Sequence, residues 1–495
     1  MGGTDPQVEQ WLEFVAEIRR RPETPFDEQW GQFNEIYAGR DPSLPPPPAW
    51  IPNQDRVANS NLMALMRELG MDDYRELHQW SVSNRAGFWR HALDRLAIVF
   101  KTPPTATVDL KNGPAQPEWL PGARLNIVDS CFQPEDCTLA VAVGREGTDV
   151  VETLTYGELE ALVNRVANGL ETNGFGPGDA IALYMPMNSE CVAAYLGIIQ
   201  AGCVVVSIAD SFAPGEVRRR LEISGAVGVV TVDSFTRGGR TIGLYTKLCD
   251  ADAPRTIVIP DTEGPSVDLR DGDVWWRDFL SDSTEFQSVT GRPTVISNIL
   301  FSSGTTGDPK AIPWDHLTPI KCAMDGHFHQ DIRRGDVVAW PTNIGWMMGP
   351  WLIYATLINR GCIALYEGLP SGPEFTDFVR RSGVSMLGVV PSLVRAWRES
   401  GACDGPDWTA IRTFSSTGEP SNRYDYLWLM SRTGYRAPVI EYCGGTEIGG
   451  GYLTGTVVQP ASPASFSTAA LGLDVVILDE NDAPVSENEE GEVFL

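Results

Sequence analysis

Lysine is nearly missing from this 495-residue sequence: Lys101, Lys111, Lys247, Lys310 and Lys321 are the five among 38 basic residues. Opposite them stand 65 acidic residues, for a formal charge of −27. Nucleic acid and anionic membrane surfaces need a basic footprint, so neither is an expected partner. Any polyanion bound here must be held by local donors against an unfavourable overall field. The nine cysteines (131, 137, 191, 203, 249, 322, 362, 403 and 443) are scattered, odd in number and without a CxxC pair. That pattern points to reduced thiols in a reducing compartment and away from a zinc site. No uninterrupted apolar run approaches about 18 residues, so no membrane-spanning helix is expected. Residues 1–9 lack the basic and apolar regions of a signal peptide. The expectation is a soluble, cytoplasmic protein. Five histidines in no Ser-His-Asp pattern give no case for a hydrolase triad. His327 and His329 form an HxH pair without a third ligand and are expected to be loop residues.

What the chain does have is apolar substance and rhythm. Hydrophobic residues make up 42%, enough for sizeable cores, and the length suits about three domains at roughly 150 residues each. Residues 5–21 read as a helix capped by Asp5, with Val8, Trp11, Leu12, Val15 and Ile18 on one face. The Pro- and Trp-rich stretch that follows has little regular period, so residues 1–120 are read as an N-terminal extension, an appendage to the core. From about residue 150 helices alternate with short apolar runs. Thr155-x-x-Glu158 is a capping box ahead of helically spaced Leu159, Leu162, Val163, Val166 and Leu170, with Gly174 as the stop. Residues 180–185 and 203–208 read as buried strands around a helix that Ser189 can cap. A second series has strands near 337–340, 362–366, 386–389, 412–415 and 439–442, with 261–288 as an acidic, Gly-containing connector. The cadence predicts an α/β fold of two βαβ-layered subdomains with mostly parallel sheets. The divisions expected are 1–120, 121–290 (first α/β subdomain), 291–455 (second, with the site) and 456–495 (the start of a small β subdomain).

The most informative string is "ILFSSGTTGDPKAIPW", residues 299–314. An apolar strand empties into Ser302-Ser303-Gly304-Thr305-Thr306-Gly307, followed by Asp308, Pro309 and Lys310. Glycines let a backbone approach a ligand closely, hydroxyl and loop N–H groups donate, and Lys310 supplies a point charge. Together they make an anion-binding nest. A loose Ser/Thr/Gly cluster alone is more often a plain turn. The whole string is far more specific, and it is not the GxxxxGK[ST] loop of P-loop NTPases. Two later strings add to it: "FSSTGEPSN", with Gly418, Glu419 and Pro420, and "IEYCGGTEIGGGY", with Glu441 to Glu447.

Taken together, these strings resemble the adenylate-forming superfamily, which includes acyl-CoA synthetases, luciferases and peptide-synthetase adenylation domains. Within it the acetyl-CoA-synthetase-like branch fits best. With "WPTNIGWMMGPW" and "DWTAIRTFSSTGEPSN" included, the sequence is most similar to the plant acyl-activating enzymes of peroxisomes. The resemblance covers about residues 120–495, from "PGARLNIVDSCF" onward. It implies an acid–thiol ligase that turns ATP and a carboxylic acid into an acyl-adenylate and pyrophosphate, then passes the acyl group to coenzyme A. On that resemblance, Thr305, Thr306 and Lys310 hold the β- and γ-phosphates, with Ser302, Ser303, Gly304 and Gly307 as the rest of the loop. Gly418, Glu419 and Pro420 line the adenine pocket, with Glu441, Cys443 and Gly445 beside it. Tyr442 stacks on adenine, Thr446 meets the α-phosphate and Glu447 helps hold Mg²⁺. Trp346, Met347, Met348, Thr417 and Gly444 line the acyl pocket. Gly444 stands where acetate-specific synthetases place a tryptophan, so the acid is expected to be larger than acetate. Arg220 is the candidate contact for coenzyme A.

The resemblance also implies a small C-terminal lid with a catalytic lysine, and an aspartate in the linker before it. The sequence ends at "EEGEVFL" ahead of both, so the lid is expected to be absent from it. A peroxisomal location stays open beside the cytoplasmic one. Two other activities fit the same residues: an adenylate former that hands the acyl group to a carrier protein or an amine, and a lid-less nucleotide-binding module without turnover.

Overall fold

The structure, a computed structural model, describes residues 5–261, 264–302, 307–405, 407–486 and 489–495. Two seven-stranded sheets dominate it. The first runs in the order 274–275, 255–259, 228–232, 180–184, 204–208, 296–302 and 310–315, parallel except for its last pair. The second runs 439–441, 413–416, 386–389, 337–339, 362–367, 139–145 and 151–155, again parallel except at its last pair. Inner strands such as Ala180–Tyr184, Val204–Ile208 and Met386–Val389 are continuous apolar runs and almost wholly buried, as parallel strands covered on both faces must be.

Sheet membership does not follow the division expected at residue 290. Leu139–Arg145 and Val151–Thr155 join the second sheet, whereas Ile296–Ser302 and Lys310–Asp315 complete the first. The cause is register: Asn298 pairs in parallel with Val205, and Val141 lies opposite Ile363. Ser302 and Lys310, the ends of the two strands within the string 299–314, are thus paired in an antiparallel arm at the edge of the first sheet.

Local chemistry places the helices. The box at Thr155 and Glu158 closes reciprocally, at 3.2 Å from the Glu158 N–H to Thr155 Oγ1 and 2.8 Å from the Thr155 N–H to Glu158 Oε2. Gly174 follows that helix at φ +87°, a left-handed turn that suits glycine. The next helix, Ser189–Gln200, is capped by Asn188, which accepts from the Cys191 N–H at 2.9 Å. Ser189 is the first helical residue instead of the cap, because the amide oxygen one residue earlier reaches the same donor. The stretch 261–288 is not merely a connector, since Val274–Trp275 adds an edge strand to the first sheet.

The N-terminal region is more regular and better integrated than its composition suggests. Six helices lie within residues 6–96. Trp11, fully buried, packs edge-on against Phe33 at 5.0 Å and Tyr435 at 5.2 Å, and its indole N–H donates to the Ala49 carbonyl at 2.9 Å. Trp50 exchanges backbone hydrogen bonds with Ala461 at 2.9 and 3.1 Å. Leu62, Leu65, Phe88 and Leu96 merge with the main core. Short helices with separate apolar faces give no long period to read, yet each face finds a partner in the sheets' outer layer. Residues 1–120 are thus not an appendage.

Candidate active site

The carboxyl ends of both sheets open into one cleft of about 730 Å³. Met187 and Asp210 follow strands of the first sheet. Pro341, Val390, Thr417 and Gly444 follow strands of the second. Loops at the carboxyl ends of parallel strands are the customary place for ligand sites in α/β sheets, because that is where the chain leaves the sheet and can diverge. One wall is apolar, with Trp340, Met347 and Met348, and Trp346 at the rim is half exposed. Thr446 also lines the cleft.

Next in sequence to Thr446, Glu447 meets Lys310: Lys310 Nζ is 3.8 Å from Glu447 Oε1, both side chains largely exposed. Trp314, on the strand that Lys310 begins, donates its indole N–H to the Thr446 carbonyl at 2.7 Å. One strand thus positions both partners. Gly307 takes φ +96°, and Asp308 is held in a two-pronged pair by Arg219, with both contacts at 3.1 Å. Ser303, Gly304, Thr305 and Thr306 lie outside the described residues.

The second string supplies Gly418, in a left-handed turn at φ +95°, and Glu419, both lining the cleft. The Glu419 carboxylate accepts from the Ser392 N–H and Oγ, each at 2.8 Å, which closes the start of the helix Pro391–Ser400. Pro420 follows and is not part of the cleft lining. Glu441 is buried. Its Oε2 accepts from Ser421 Oγ at 2.9 Å, while its Oε1 has no hydrogen-bond partner among the described residues. Burial pushes this carboxyl up to about 7.

Three expected site residues are placed in ways the sequence did not show. Tyr442 is turned into the core, where its hydroxyl donates to Asp325 at 2.5 Å and accepts from the Trp351 indole at 3.1 Å. Desolvation, reinforced by Asp325, drives its phenol well above the ordinary range. A ring held there cannot stack on adenine, and strand alternation turns Cys443, half-buried and 3.2 Å from the Tyr452 hydroxyl, the other way. Gly444 lines the cleft, but a Cβ on it would meet the Gly450 carbonyl oxygen at 1.9 Å. The glycine is set by the close approach of two strands, and no side chain fits without moving the 450–454 strand. Arg220 is buried behind the cleft, with its guanidinium 3.8 Å from the Phe212 ring centre and 5.6 Å from that of Phe301. Its neighbour Phe212 in turn contacts Trp346 at 5.8 Å. Arg220 is not among the residues lining the cleft and is linked to its Trp346 through Phe212.

Of the two expected loop residues, His327 lies in the last turn of the helix Thr318–Phe328, while His329 follows it in a turn. His327 is partly buried against Asn359 at 2.8 Å, and His329 is buried between the Gly455 carbonyl and the Leu471 N–H. Burial pulls both imidazoles down to about 4, so they are neutral structural groups.

Other cleft residues escaped the sequence reading. Arg237, on the hairpin 234–243, reaches the cleft in a 2.7 Å pair with buried Asp210. Glu146 fastens that hairpin by accepting from the N–H groups of Gly238, Gly239 and Leu369 at 2.7 to 3.0 Å. Nothing local in the sequence marks these residues. Trp314, by contrast, stands inside the string 299–314, and Lys321 and Asp325 form an i,i+4 charged pair in a largely apolar helix, a legible signal.

Two α/β sheets with a shared cleft at their carboxyl ends, and a Gly-rich hairpin facing a lysine-bearing loop, define the large domain of an adenylate-forming enzyme. The chain belongs to the AMP-binding enzyme family, which it matches over residues 135–495. Residues 74–131 match the acetyl-coenzyme A synthetase N-terminus. The chain is 43% identical over 509 residues to the probable acyl-activating enzyme 17, peroxisomal, of Arabidopsis thaliana, covering 98% of itself and 70% of that protein. It is 43% identical over 517 residues to the hexanoyl-CoA synthase of Cannabis sativa, covering 99% of itself and 71% of the relative. The solved acetoacetyl-CoA synthetase from Streptomyces lividans superposes with a TM-score of 0.82 at 25% identity, covering 90% of this chain and 71% of that one. The expected α/β fold and family are those found. No described helix is long and apolar enough to cross a membrane.

Proposed function

We propose that the protein is an AMP-forming acid–CoA ligase that activates a carboxylic acid larger than acetate. The observation that carries this reading is the cleft itself. Its lining brings together Thr446, the chain neighbour of Glu447, whose carboxylate is 3.8 Å from Lys310, and the apolar side chains of Trp340, Met347 and Met348. Its volume of about 730 Å³ falls within the roughly 300–1,000 Å³ usual for small-molecule sites. The relatives named for hexanoyl-CoA and acetoacetyl-CoA synthesis agree with an acid of intermediate length.

The chemistry asked of these residues is positioning and charge neutralisation of two anions, carboxylate and triphosphate. Lys310 meets the phosphates, and the 445–450 turn presents Thr446 and Glu447 to the α-phosphate. Glu447 is an exposed carboxylate, and no group of three or more His, Cys, Asp or Glu side chains that could hold a metal by themselves occurs among the described residues. Glu447 therefore suits a shared site for Mg²⁺, a hard cation that takes most of its ligands from phosphate and water. The ion would supply further charge neutralisation at the phosphates. We place the protein in the cytoplasm, with the peroxisome as a second location that the printed name of the Arabidopsis relative favours.

The test is acid-dependent pyrophosphate release and thioester formation with two- to ten-carbon acids, with and without coenzyme A. Thioester formed from four- to eight-carbon acids in preference to acetate is the expected result. Absence of any acid-dependent pyrophosphate release overturns the reading.

A further inference from the structure

The helix Thr318–Phe328 carries a buried ion pair that the reaction does not use directly. Lys321 Nζ lies 2.5 and 2.6 Å from the two carboxylate oxygens of Asp325, whose side chain is fully buried. The pair grips one residue of the glycine-rich hairpin from both sides: the Gly451 N–H donates to Asp325 Oδ2 at 3.0 Å, and the Gly451 carbonyl accepts from Lys321 Nζ at 3.1 Å. Tyr442, on the facing arm, gives its hydroxyl to the same Asp325 oxygen at 2.5 Å. Cys322, from the same helix, places its thiol 3.1 Å from the Gly449 carbonyl.

The glycines are what let the hairpin sit so low. A Cβ on Gly450 would stand 2.4 Å from Asp325 Oδ2, and one on Gly451 would stand 2.5 Å from the Tyr442 ring. Gly451 pairs with Gly444 and Gly450 with Gly445, so the grip falls at the base of the turn that carries Thr446 and Glu447. Trp314 holds the same turn from the other side through the Thr446 carbonyl.

We infer that the Lys321–Asp325 pair is a clasp that positions the Thr446–Glu447 turn for the adenylation step. Neither residue meets a substrate, so both are positioning residues. A buried ion pair is a weak stabiliser compared with an apolar pair of similar size, yet it fixes geometry through directed hydrogen bonds. Displacing a catalytic group by about 1 Å can cost around a hundredfold in rate. This inference rests on the ligase reading for its link to turnover, and on the hairpin geometry alone for the clasp.

The test compares the parent with Lys321→Met/Asp325→Leu, Tyr442→Phe and Trp314→Phe. Two readouts are taken: backbone hydrogen exchange of the 445–451 segment, and kcat against KM for acid-dependent ATP–pyrophosphate exchange. In the double variant, exchange at 445–451 should rise at least tenfold and kcat should fall by about ten- to a hundredfold. KM for hexanoate should stay within about twofold, because the apolar wall is untouched. The two single variants, Tyr442→Phe losing the hydroxyl's bonds to Asp325 and Trp351 and Trp314→Phe losing the one to Thr446, should show the same pattern at smaller amplitude. Where the double variant does not fold, the single variants decide. Unchanged hydrogen exchange at 445–451 overturns the clasp, and so does raised exchange with an unchanged kcat. A parent that shows no acid-dependent exchange of pyrophosphate sinks the ligase reading instead. The clasp is then judged by hydrogen exchange, and by whether the variants alter MgATP binding in calorimetry.

Discussion

The indole N–H of Trp314 donates to the backbone carbonyl of Thr446 across 2.7 Å, joining the strand that starts at Lys310 to the turn that carries Glu447. The lysine and the Thr-Glu turn are thus parts of one rigid unit rather than two loops that meet by chance, and the 3.8 Å separation of Lys310 and Glu447 is its consequence.

Lys310→Ala should weaken MgATP binding, because in a chain of charge −27 no bulk positive field replaces the lost cation. A charged hydrogen bond contributes about 1.5–3 kcal/mol, which corresponds to roughly a ten- to hundredfold rise in Kd. Calorimetric titration checks this, and an unchanged Kd removes Lys310 from the nucleotide site.

Substitution at Gly444 should act through the fold. The Cβ of Gly444→Ala already collides with the Gly450 carbonyl, so Gly444→Ala and Gly444→Trp should both lower Tm and reduce turnover on every acid. Met347→Trp, on the cleft wall, should instead narrow acid choice and raise the hexanoate-to-propionate KM ratio by about tenfold or more. A Gly444→Trp variant of parental Tm that had simply lost its longer acids would show that the strand can move aside.

The buried Glu441 makes a prediction about pH. Its carboxyl is raised from the ordinary 4.5 to about 7 by burial, so the protonated form suits the fold and the charged form does not. The stabilisation belongs to low pH and is lost as pH rises through about 7. Glu441→Gln should therefore raise Tm at pH 8 relative to the parent and leave it nearly unchanged at pH 5. Burial raises Glu367 to about 7 as well, so part of the slope should survive in the variant. An identical Tm–pH profile for parent and variant would remove Glu441 as a cause.

Trp11→Ala tests whether the N-terminal helices belong to the core. The side chain is fully buried between Phe33 and Tyr435, and its truncation should cost about 3–5 kcal/mol. Denaturant unfolding followed by near-UV signal measures the loss. A change below about 1 kcal/mol would return these helices to the status of an appendage.

The sequence by itself determined whatever depends on neighbours along the chain. Alternating apolar runs and caps placed the strands 180–184, 204–208 and 386–389 and the box at Thr155 and Glu158. The strings around Lys310, Gly418 and Thr446 pointed to the chemistry because loop glycines, hydroxyls and a lone lysine act at short range. Only the tertiary structure decided which way those residues face. Tyr442 and Cys443 are adjacent, and strand alternation sends one into the core and the other out. Which goes where depends on pairing with 450–454, where the register shifts between Cys443 and Gly444. Gly444 looked like an opened pocket, but its reason is a strand crossing at 1.9 Å that no local pattern encodes. Lys321 and Asp325 were visible as a charged pair, yet their target, Gly451, lies 126 residues beyond Asp325. A buried charge is tolerable only where the fold brings its partners to it, and that meeting is made by the assembled sheets.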